Sequence, residues 1–294
     1  MEFLQPATWS EALEMKSAHP DAMPIWGGTD VMVEINLDHH RPAAILDLTP
    51  IHELREWGED GDHLRVGAGV TYTRIIDELG DRLPGLAMAS RTVGSPQIRN
   101  RGTVGGNLGT ASPAGDAHPP LLACDAIVEL ASKSGVRLVP AREFFVGPKK
   151  NAMRPDELIA AFLIEPAGGP QQFSKVGTRN AMVIAVCSFA LALDASRRRV
   201  GTGIGSAGPT PLRAEEAERF LEGELDWERG GAVSDATAER FGDLVAAAAR
   251  PIDDIRGTAA YRRRALSVMA RRTLKWALAS SPFIGRWRGA PEGP

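Results

Sequence analysis

Gly94-Ser95-Pro96-Gln97-Ile98-Arg99-Asn100-Arg101-Gly102-Thr103-Val104-Gly105-Gly106-Asn107-Leu108-Gly109-Thr110-Ala111-Ser112-Pro113-Ala114-Gly115-Asp116 is the stretch that decides how the rest of the chain is read. It runs on through Ala117-His118-Pro119-Pro120-Leu121-Leu122 to Asp125, with few large apolar side chains to build a core. A loop of that length, ordered inside a compact chain, is usually functional, because a bound partner offsets the entropy of ordering it. Its glycines let backbone N–H groups come close to an anion. Thr103, Asn107, Thr110, Ser112 and Asp116 add side-chain donors and acceptors. The stretch reads as a cradle for a large, polar, phosphate-bearing ligand.

A second glycine site lies upstream. Met23-Pro24-Ile25-Trp26 reads as a short strand, followed by Gly27-Gly28-Thr29-Asp30 and a helix start at Val31-Met32-Val33-Glu34-Ile35. A strand, a glycine pair and a helix start point free backbone N–H groups at an anion. Alone the pair fits a plain tight turn; beside the longer loop it gains weight.

The totals set limits. The 294 residues allow one large domain or two ordinary ones, with ordinary apolar and charged fractions. A net charge of −3 gives no overall basic field, so no nucleic-acid partner is expected. Two cysteines, Cys124 and Cys187, suit a reducing cytoplasm and are too few to hold an iron–sulfur cluster unaided. The first residues show no signal-peptide pattern. The most apolar run, Ala181 to Leu193, is shorter than the roughly 20 residues that span a bilayer, so no membrane span is expected.

Periodicity predicts helices over Thr8–Ala18, from Thr71 as N-cap to Leu79, and over Leu86–Thr92, with a helical turn at Leu121–Ala123. Strands are predicted at Ala44–Leu48, Leu64–Val70, Ala126–Leu130, Val136–Val139 and Leu158–Ile164. Gly168-Gly169-Pro170 is the best boundary signal. Beyond it, strands (Gln172–Lys175, Met182–Leu193, Val200–Ser206) precede helices (Leu212–Leu221, Ser234–Ala249, Ala259–Leu278), the order of an α+β domain.

Other constellations carry less. Gly203-Ile204-Gly205-Ser206-Ala207-Gly208 spells a dinucleotide fingerprint, but Pro209 and Pro211 prevent a helix from opening on it, so it reads as a strand end. His39, His40, His52, His63 and His118 lack metal-pair spacing and read as surface or turn residues. Ser112 and Asp116 lack a nucleophile-elbow context. The arginines of the last helix read as a solvated face or a subunit contact, and Lys175, by pattern alone, as an exposed edge-strand lysine.

The two glycine loops, 75 positions apart from Gly28 to Thr103, resemble those of the FAD-binding subunit of the molybdenum hydroxylases, the xanthine dehydrogenase and aerobic carbon monoxide dehydrogenase family. The resemblance rests on Gly27-Gly28-Thr29-Asp30, on Gln97 to Asn107, and on Ala111-Ser112-Pro113-Ala114-Gly115-Asp116. It extends to Asp156-Glu157-Leu158-Ile159, Phe173-Ser174-Lys175 and Arg256-Gly257-Thr258-Ala259-Ala260-Tyr261-Arg262-Arg263. It implies an α+β chain. Residues 1–169 would form a two-subdomain FAD-binding domain of the PCMH, vanillyl-alcohol-oxidase-like type, divided near residue 55. Residues 170–280 would form a carbon monoxide dehydrogenase flavoprotein C-terminal domain, with a tail over 281–294.

By the same resemblance Trp26, Gly27, Gly28, Thr29, Asp30 and Val31 would hold the pyrophosphate, with Thr29 near the flavin. Thr103, Gly105, Gly106, Asn107, Gly109 and Thr110 would line the other side. Asp116 would bond hydroxyls, Ile159 would pack on the adenine side, and Lys175 would reach the flavin's polar edge, which overrides the edge-strand reading. The implied complex is cytoplasmic. It adds a large subunit with the molybdenum cofactor and a small subunit with two [2Fe-2S] clusters, as a dimer of heterotrimers. Such a chain passes electrons from the clusters to an external acceptor, after water-dependent hydroxylation of a substrate on the molybdenum subunit.

Two departures refine this. The cysteine-bearing insertion of the hydroxybenzoyl-thioester-reducing branch is absent. The acidic and aromatic residues that NAD-using relatives share are also missing, from Thr178-Arg179-Asn180-Ala181-Met182 and from Val146-Gly147-Pro148-Lys149, so an acceptor other than NAD is expected. The Ala-Ser-Pro-x-x-Asp match leans toward a purine or N-heterocycle. The rival reading is a stand-alone flavin oxidase or reductase of the same superfold, which should own a general acid or a covalent flavin link.

Overall fold

The structure is a computed structural model that describes residues 1–279; the expected tail over 281–294 lies outside the described residues. The chain opens with strand β1 (Glu2–Leu4), helix α1 (Trp9–Ala18), β2 (Met23–Ile25), α2 (Val31–Asn36) and β3 (Ala44–Asp47). The three strands form a parallel sheet in the order β1-β3-β2. Parallel neighbours need crossovers, which α1 and α2 help to supply. Thr8 caps α1 by accepting from the Glu11 N–H at 3.2 Å, and the Glu11 carboxylate accepts from the Ala7 N–H at 2.7 Å. Lys16 lies buried on the inner face of α1, its ammonium donating to the Pro20 and Ala22 carbonyls at 2.6 and 2.8 Å. That explains how a lysine shares the apolar stripe.

Next come β4 (Trp57–Asp60), β5 (His63–Gly67), α3 (Tyr72–Glu78), α4 (Pro84–Thr92), α5 (Pro96–Arg99), α6 (Val104–Thr110) and α7 (His118–Ala123). They are followed by β6 (Ile127–Ser132), β7 (Gly135–Pro140), α8 (Ala141–Phe144), the small pair β8 (Phe145–Gly147) and β9 (Lys150–Asn151), and β10 (Leu158–Ile164). An antiparallel sheet runs β4-β5-β10-β6-β7. Its middle strand, β10, is buried along all seven residues. Leu64, Val66, Ile75, Leu86, Leu108 and Phe162 belong to the core between this sheet and the helices. Thr71 caps α3, as its sequence predicts.

The stretch from Gly94 to Asp125 is not a plain loop. It winds into α5, α6 and α7, which composition hides and capping explains. The Ser95 and Thr103 hydroxyls accept from the Ile98 and Gly106 N–H groups at 3.4 and 2.9 Å. Pro96 stands at the start of α5, and Pro119 and Pro120 at the start of α7, where no N–H is needed.

The last third carries β11 (Gln171–Val176), β12 (Cys187–Asp194), β13 (Arg199–Gly205), α9 (Glu215–Glu224), α10 (Asp235–Ala248) and α11 (Ala259–Ala279). The strands form one antiparallel sheet in sequence order. Helices α9, α10 and α11 bury Leu221, Phe241, Leu266 and Leu274 in a core with Phe189, Leu191 and Val200 of the sheet. The strand expected from Met182 begins only at Cys187. Met182 takes a left-handed backbone (φ 49°), and the Arg179 side chain binds the carbonyls of Ala181 and Met182, so this segment folds on itself instead of pairing. Helix α9 starts three residues later than expected because Leu212 is bridged to Ile204 through both backbone bonds. Among the described residues no helix is long and apolar enough to cross a membrane.

The Gly203-x-Gly205 motif is strand, as expected, and its glycines have a packing reason. A Cβ on Gly201 would stand 1.8 Å from the Ala123 carbonyl oxygen, and one on Gly203 2.0 Å from that of Pro119. The sheet therefore rests directly on the backbone of α7. Gly203→Val should lower stability by about 3 kcal/mol or more, because backbone cannot yield as a side chain does. Gly223→Ala, with nothing within 4 Å of its Cβ, should be neutral or stabilising by up to about 1 kcal/mol. Urea unfolding of the two variants checks the contrast.

Candidate functional site

The two glycine loops come together. A Cβ on Gly27 would lie 2.0 Å from the Arg101 carbonyl oxygen, so the first loop presses on the segment that enters α6. Gly28 has φ 70°, a conformation that favours glycine, and it turns the chain into α2. A Cβ on Gly102 would lie 3.4 Å from Thr29 Oγ1. Thr110 on α6 donates to Asp30 Oδ2 at 2.5 Å and so ties the far end of α6 to the start of α2. Trp26 turns its ring onto Gly69, where a Cβ would meet it at 2.4 Å, and the Arg55 guanidinium lies 5.4 Å from the ring centroid. Its side chain is thus committed to the protein's own packing. Val31 is half-buried at the first position of α2.

Helix α6 separates residues that look alike in sequence. Gly105 faces inward, where a Cβ would lie 2.5 Å from the Ala68 carbonyl oxygen. Gly106 and Gly109, one turn apart, face solvent. A Cβ at Gly106 would approach only Thr103 Oγ1, at 3.2 Å, and one at Gly109 only Ile159 Cδ1, at 3.8 Å. Thr103 is buried, its hydroxyl held by the cap it makes. Ile159 is buried in β10 beneath Gly109. The Asn151 side chain donates to the Gly109 carbonyl at 2.8 Å. The outcome is a helix face with bare backbone, framed by Thr110, Asp30 and Asn107, where a flat or phosphate-bearing group can approach closely.

The deeper end is built from both halves of the chain. Lys175 on β11 is not exposed: its ammonium donates to Asp116 Oδ2 at 2.5 Å and to the Thr92 carbonyl at 3.2 Å, and both partners of the ion pair are about nine-tenths buried. The Thr92 hydroxyl lies 3.2 Å from the same carboxylate oxygen. Burial pushes the Asp116 carboxyl above its ordinary pKa, while Lys175 pulls it down. Burial also pushes the Tyr72 phenol up, and the Asp116 and Asp30 carboxylates add to that, so Tyr72 stays neutral.

His118, expected at the surface, is fully buried at the start of α7. Its ring packs tilted against Phe145 with centroids 4.5 Å apart, and Nε2 sits 3.1 Å from the Asn107 carbonyl. A carbonyl only accepts, so the ring donates through Nε2, and the Ser112 backbone beside the ring also favours its protonated form. Burial pushes its pKa down to about 4, and the ring is neutral at neutral pH. The signal for this was His118 standing at helical spacing from Leu121 and Leu122. Thr92 and Tyr72 were also missed, because nothing in their local sequence points to Asp116.

FAD carries two phosphates, many hydroxyls and one flat ring. Buried Asn107 Oδ1, Asp116 Oδ1 and His118 Nδ1 have no hydrogen-bond partner. The bare acceptors Asn107 Oδ1 and Asp116 Oδ1 suit a ligand that brings hydroxyl and amino donors. The open face of α6 suits its phosphates or its ring. The residues present fit the cofactor.

Comparison with known proteins gives the same direction. A family profile described as the FAD binding domain in molybdopterin dehydrogenase matches residues 1–166, and one described as the CO dehydrogenase flavoprotein C-terminal domain matches residues 172–277. The putative xanthine dehydrogenase FAD-binding subunit of Escherichia coli strain K12 is 31% identical over 286 residues, covering 94% of this chain and 95% of that protein. The nicotine 6-hydroxylase medium subunit of Paenarthrobacter nicotinovorans is 31% identical, covering 93% and 96%. The solved structure of reconstituted CO dehydrogenase from Oligotropha carboxidovorans superposes with a TM-score of 0.87 at 27% identity, covering 96% of this chain and 98% of that one. The fold is therefore the expected FAD-binding domain followed by the flavoprotein C-terminal domain. This chain belongs to the FAD-binding medium subunits of the molybdenum hydroxylases, the xanthine dehydrogenase and carbon monoxide dehydrogenase type.

Proposed function

We propose that this chain is the electron-transfer subunit of a molybdenum hydroxylase. It would hold FAD between residues 26–31 and the open face of α6, and receive electrons from a two-cluster iron–sulfur subunit. The molybdenum-cofactor subunit of the same dimer of heterotrimers would hydroxylate the substrate. The observation that carries the reading is the bare backbone of α6 at Gly106 and Gly109, together with the unfilled buried acceptors Asn107 Oδ1 on the same helix and Asp116 Oδ1 in the segment that follows it. Residues 1–169 and 170–280 act as two domains that close on the cofactor through Asp116 and Lys175.

FAD, when bound, supplies the electron chemistry, accepting and releasing electrons singly or in pairs. The chain's residues have simpler duties. Gly27 and Gly28 would present backbone N–H groups and Gly106 its bare Cα face, while Thr29, Asn107 and Thr110 would bond hydroxyl and phosphate oxygens or ring edges and Asp30 would accept from hydroxyls. Gly105 and Ile159 set the depth of α6, and Lys175 places one positive charge at the polar end. Relatives named for nicotine, nicotinate and caffeine support an N-heterocyclic substrate. The Thr178–Met182 and Val146–Lys149 stretches support an acceptor other than NAD.

Purification from the native host tests the reading against a stand-alone flavin oxidase. The proposed subunit arrives yellow with stoichiometric iron–sulfur and molybdenum chains. A yellow chain that turns over a substrate alone overturns it.

Three variants probe the site. Gly106→Val should weaken FAD retention about tenfold or more while leaving the melting temperature of the FAD-free chain unchanged, whereas Gly105→Val should lower that temperature as well. Lys175→Met leaves the Asp116 carboxylate buried and unpaired, and should cost about 3–5 kcal/mol in unfolding free energy; Asp116→Asn in the same chain should restore part of it. For His118, the folded pKa of about 4 lies below the ordinary 6.5, so stability is full above 6.5 and falls as pH drops toward 4. His118→Gln should remove roughly 2.5 kcal/mol of that acid dependence, read from chemical unfolding at pH 7 and pH 4.5.

A further inference from the structure

Helix α2 borders the cofactor cleft but has no place in the core. None of its six residues is buried, and Met32 and Val33, with Leu37 just beyond its end, are exposed. Left-handed backbone flanks it on both sides, at Gly28 (φ 70°) and Asp38 (φ 58°). The chain therefore turns sharply into and out of a helix that apolar packing does not fix.

What holds α2 is polar. Asp30 and Glu34 stand four residues apart, on one face of the helix. Asp30 Oδ2 accepts from the Thr110 hydroxyl and Glu34 Oε1 accepts from the Lys149 ammonium, each at 2.5 Å. The second pair joins residues 115 positions apart, so it ties α2 to a different part of the fold. Lys149 is itself well placed. It occupies the turn between β8 and β9 with φ 53°, a conformation uncommon for a residue with a side chain. Its N–H donates to the Ala111 carbonyl at 3.2 Å, and the Asn151 side chain donates to the Gly109 carbonyl at 2.8 Å. The hairpin thus grips the end of α6 and projects one ammonium to α2. The hydrogen bond from Lys149 holds the Glu34 carboxyl below its ordinary pKa, so the bridge is ionised at neutral pH.

The two bridges have different duties. Both stand beside the bare face of α6 at Gly109, and both draw α2 toward it. The Asp30–Thr110 bond joins two groups that the cofactor itself would engage, so a bound cofactor replaces it. Glu34 and Lys149 lie outside that set and stay free to hold α2 in place over an occupied cleft. Because α2 continues directly from residues 26–31, any opening of that loop moves α2 and breaks the pair.

We propose that Glu34 and Lys149 form a clasp that closes α2 over bound FAD and sets how fast the cofactor enters and leaves. The inference rests on the reading that residues 26–31 and α6 enclose the cofactor. The turns at Gly28 and Asp38 are the hinges, and α2 swings on them without disturbing the core. Lys149 is 59% exposed and Glu34 32%, and a pair so open to water is weak. That suits a clasp, which must release when the cofactor is exchanged. Because the pair touches α2 and not the cofactor, its loss speeds passage in both directions.

The test uses the full complex purified from its host. Release is read as free-flavin fluorescence appearing on dilution, and loading as fluorescence quenched when FAD is added to the deflavinated complex. Lys149→Met keeps the stem and removes the charge. It should speed release and loading alike by about fivefold, the upper range for an exposed pair, and leave affinity within about twofold of wild type. Glu34→Lys combined with Lys149→Glu should return both rates to near wild type, which neither reversal does alone. Added salt should quicken release from the wild type more than from Lys149→Met. Wild-type rates in Lys149→Met, or rates that the swapped pair fails to restore, overturn the clasp while the electron-transfer reading stands. Faster release with unchanged loading, the pattern of a direct FAD ligand, also overturns it. A wild-type complex that takes up no FAD sinks the electron-transfer reading itself.

Discussion

Backbone touching backbone, at distances no β-carbon tolerates, is the constraint on which the rest of this structure depends. Gly27 packs on the Arg101 carbonyl, Gly105 on that of Ala68, Gly201 on Ala123 and Gly203 on Pro119. These contacts join the parallel sheet to the entry of α6, α6 to the end of β5, and the last sheet to α7. Each would be spaced apart by a methyl group. The three layers meet around the segment from Arg101 to Ala123, so the position of α6 is set by Gly27 against its entry and by its own inward Gly105. Its own outward glycines are then free to face a ligand.

A cleft assembled in this way has little room for charge, and the charges it has are matched. Lys175 and Asp116 come from different halves of the chain and neutralise each other in a buried setting. Such a pair is weak as a source of stability, because desolvation offsets most of the attraction, but it is specific. It holds β11 against the chain leading into α7 at one register. His118 follows the same economy, since its neutral ring supplies one donor to the Asn107 carbonyl without burying a charge. The site is polar in its acceptors and nearly neutral overall, which suits a chain that positions an electron carrier better than one that performs acid–base catalysis.

Much of this was legible in the sequence, and the misses share a cause. Strands with clear apolar runs, such as Ala44–Asp47 and Leu158–Ile164, and the Thr71-capped helix were readable because their signals are local. The three short helices within Gly94–Asp125 were not, because glycine-rich helices are held by caps and neighbours, not by propensity. Strand β4 was missed although Gly61, with φ 60°, marks its hairpin turn. Lys175 and His118 read as surface residues, since burial of a cation or an imidazole depends on partners 59 and 11 positions away. Gly105 and Gly106 are adjacent letters with opposite duties, and only the packing on Ala68 separates them.

The same reasoning explains why the chain's exposed apolar residues gather where they do. A chain that keeps the cofactor cleft neutral and closes it with a buried ion pair leaves few groups there to recognise a protein partner. The 251–258 loop lies outside that packing: its aspartates are used on backbone N–H groups and Arg262, which leaves isoleucines and arginines facing outward. Arg262 links this loop to the turn at Ser206, whose N–H donates to the Pro113 carbonyl in the Ala-Ser-Pro stretch. A continuous chain of hydrogen bonds thus runs from the exposed loop to the segment that carries Asp116. The exposed loop and the residues offered to the cofactor are thus held by one framework.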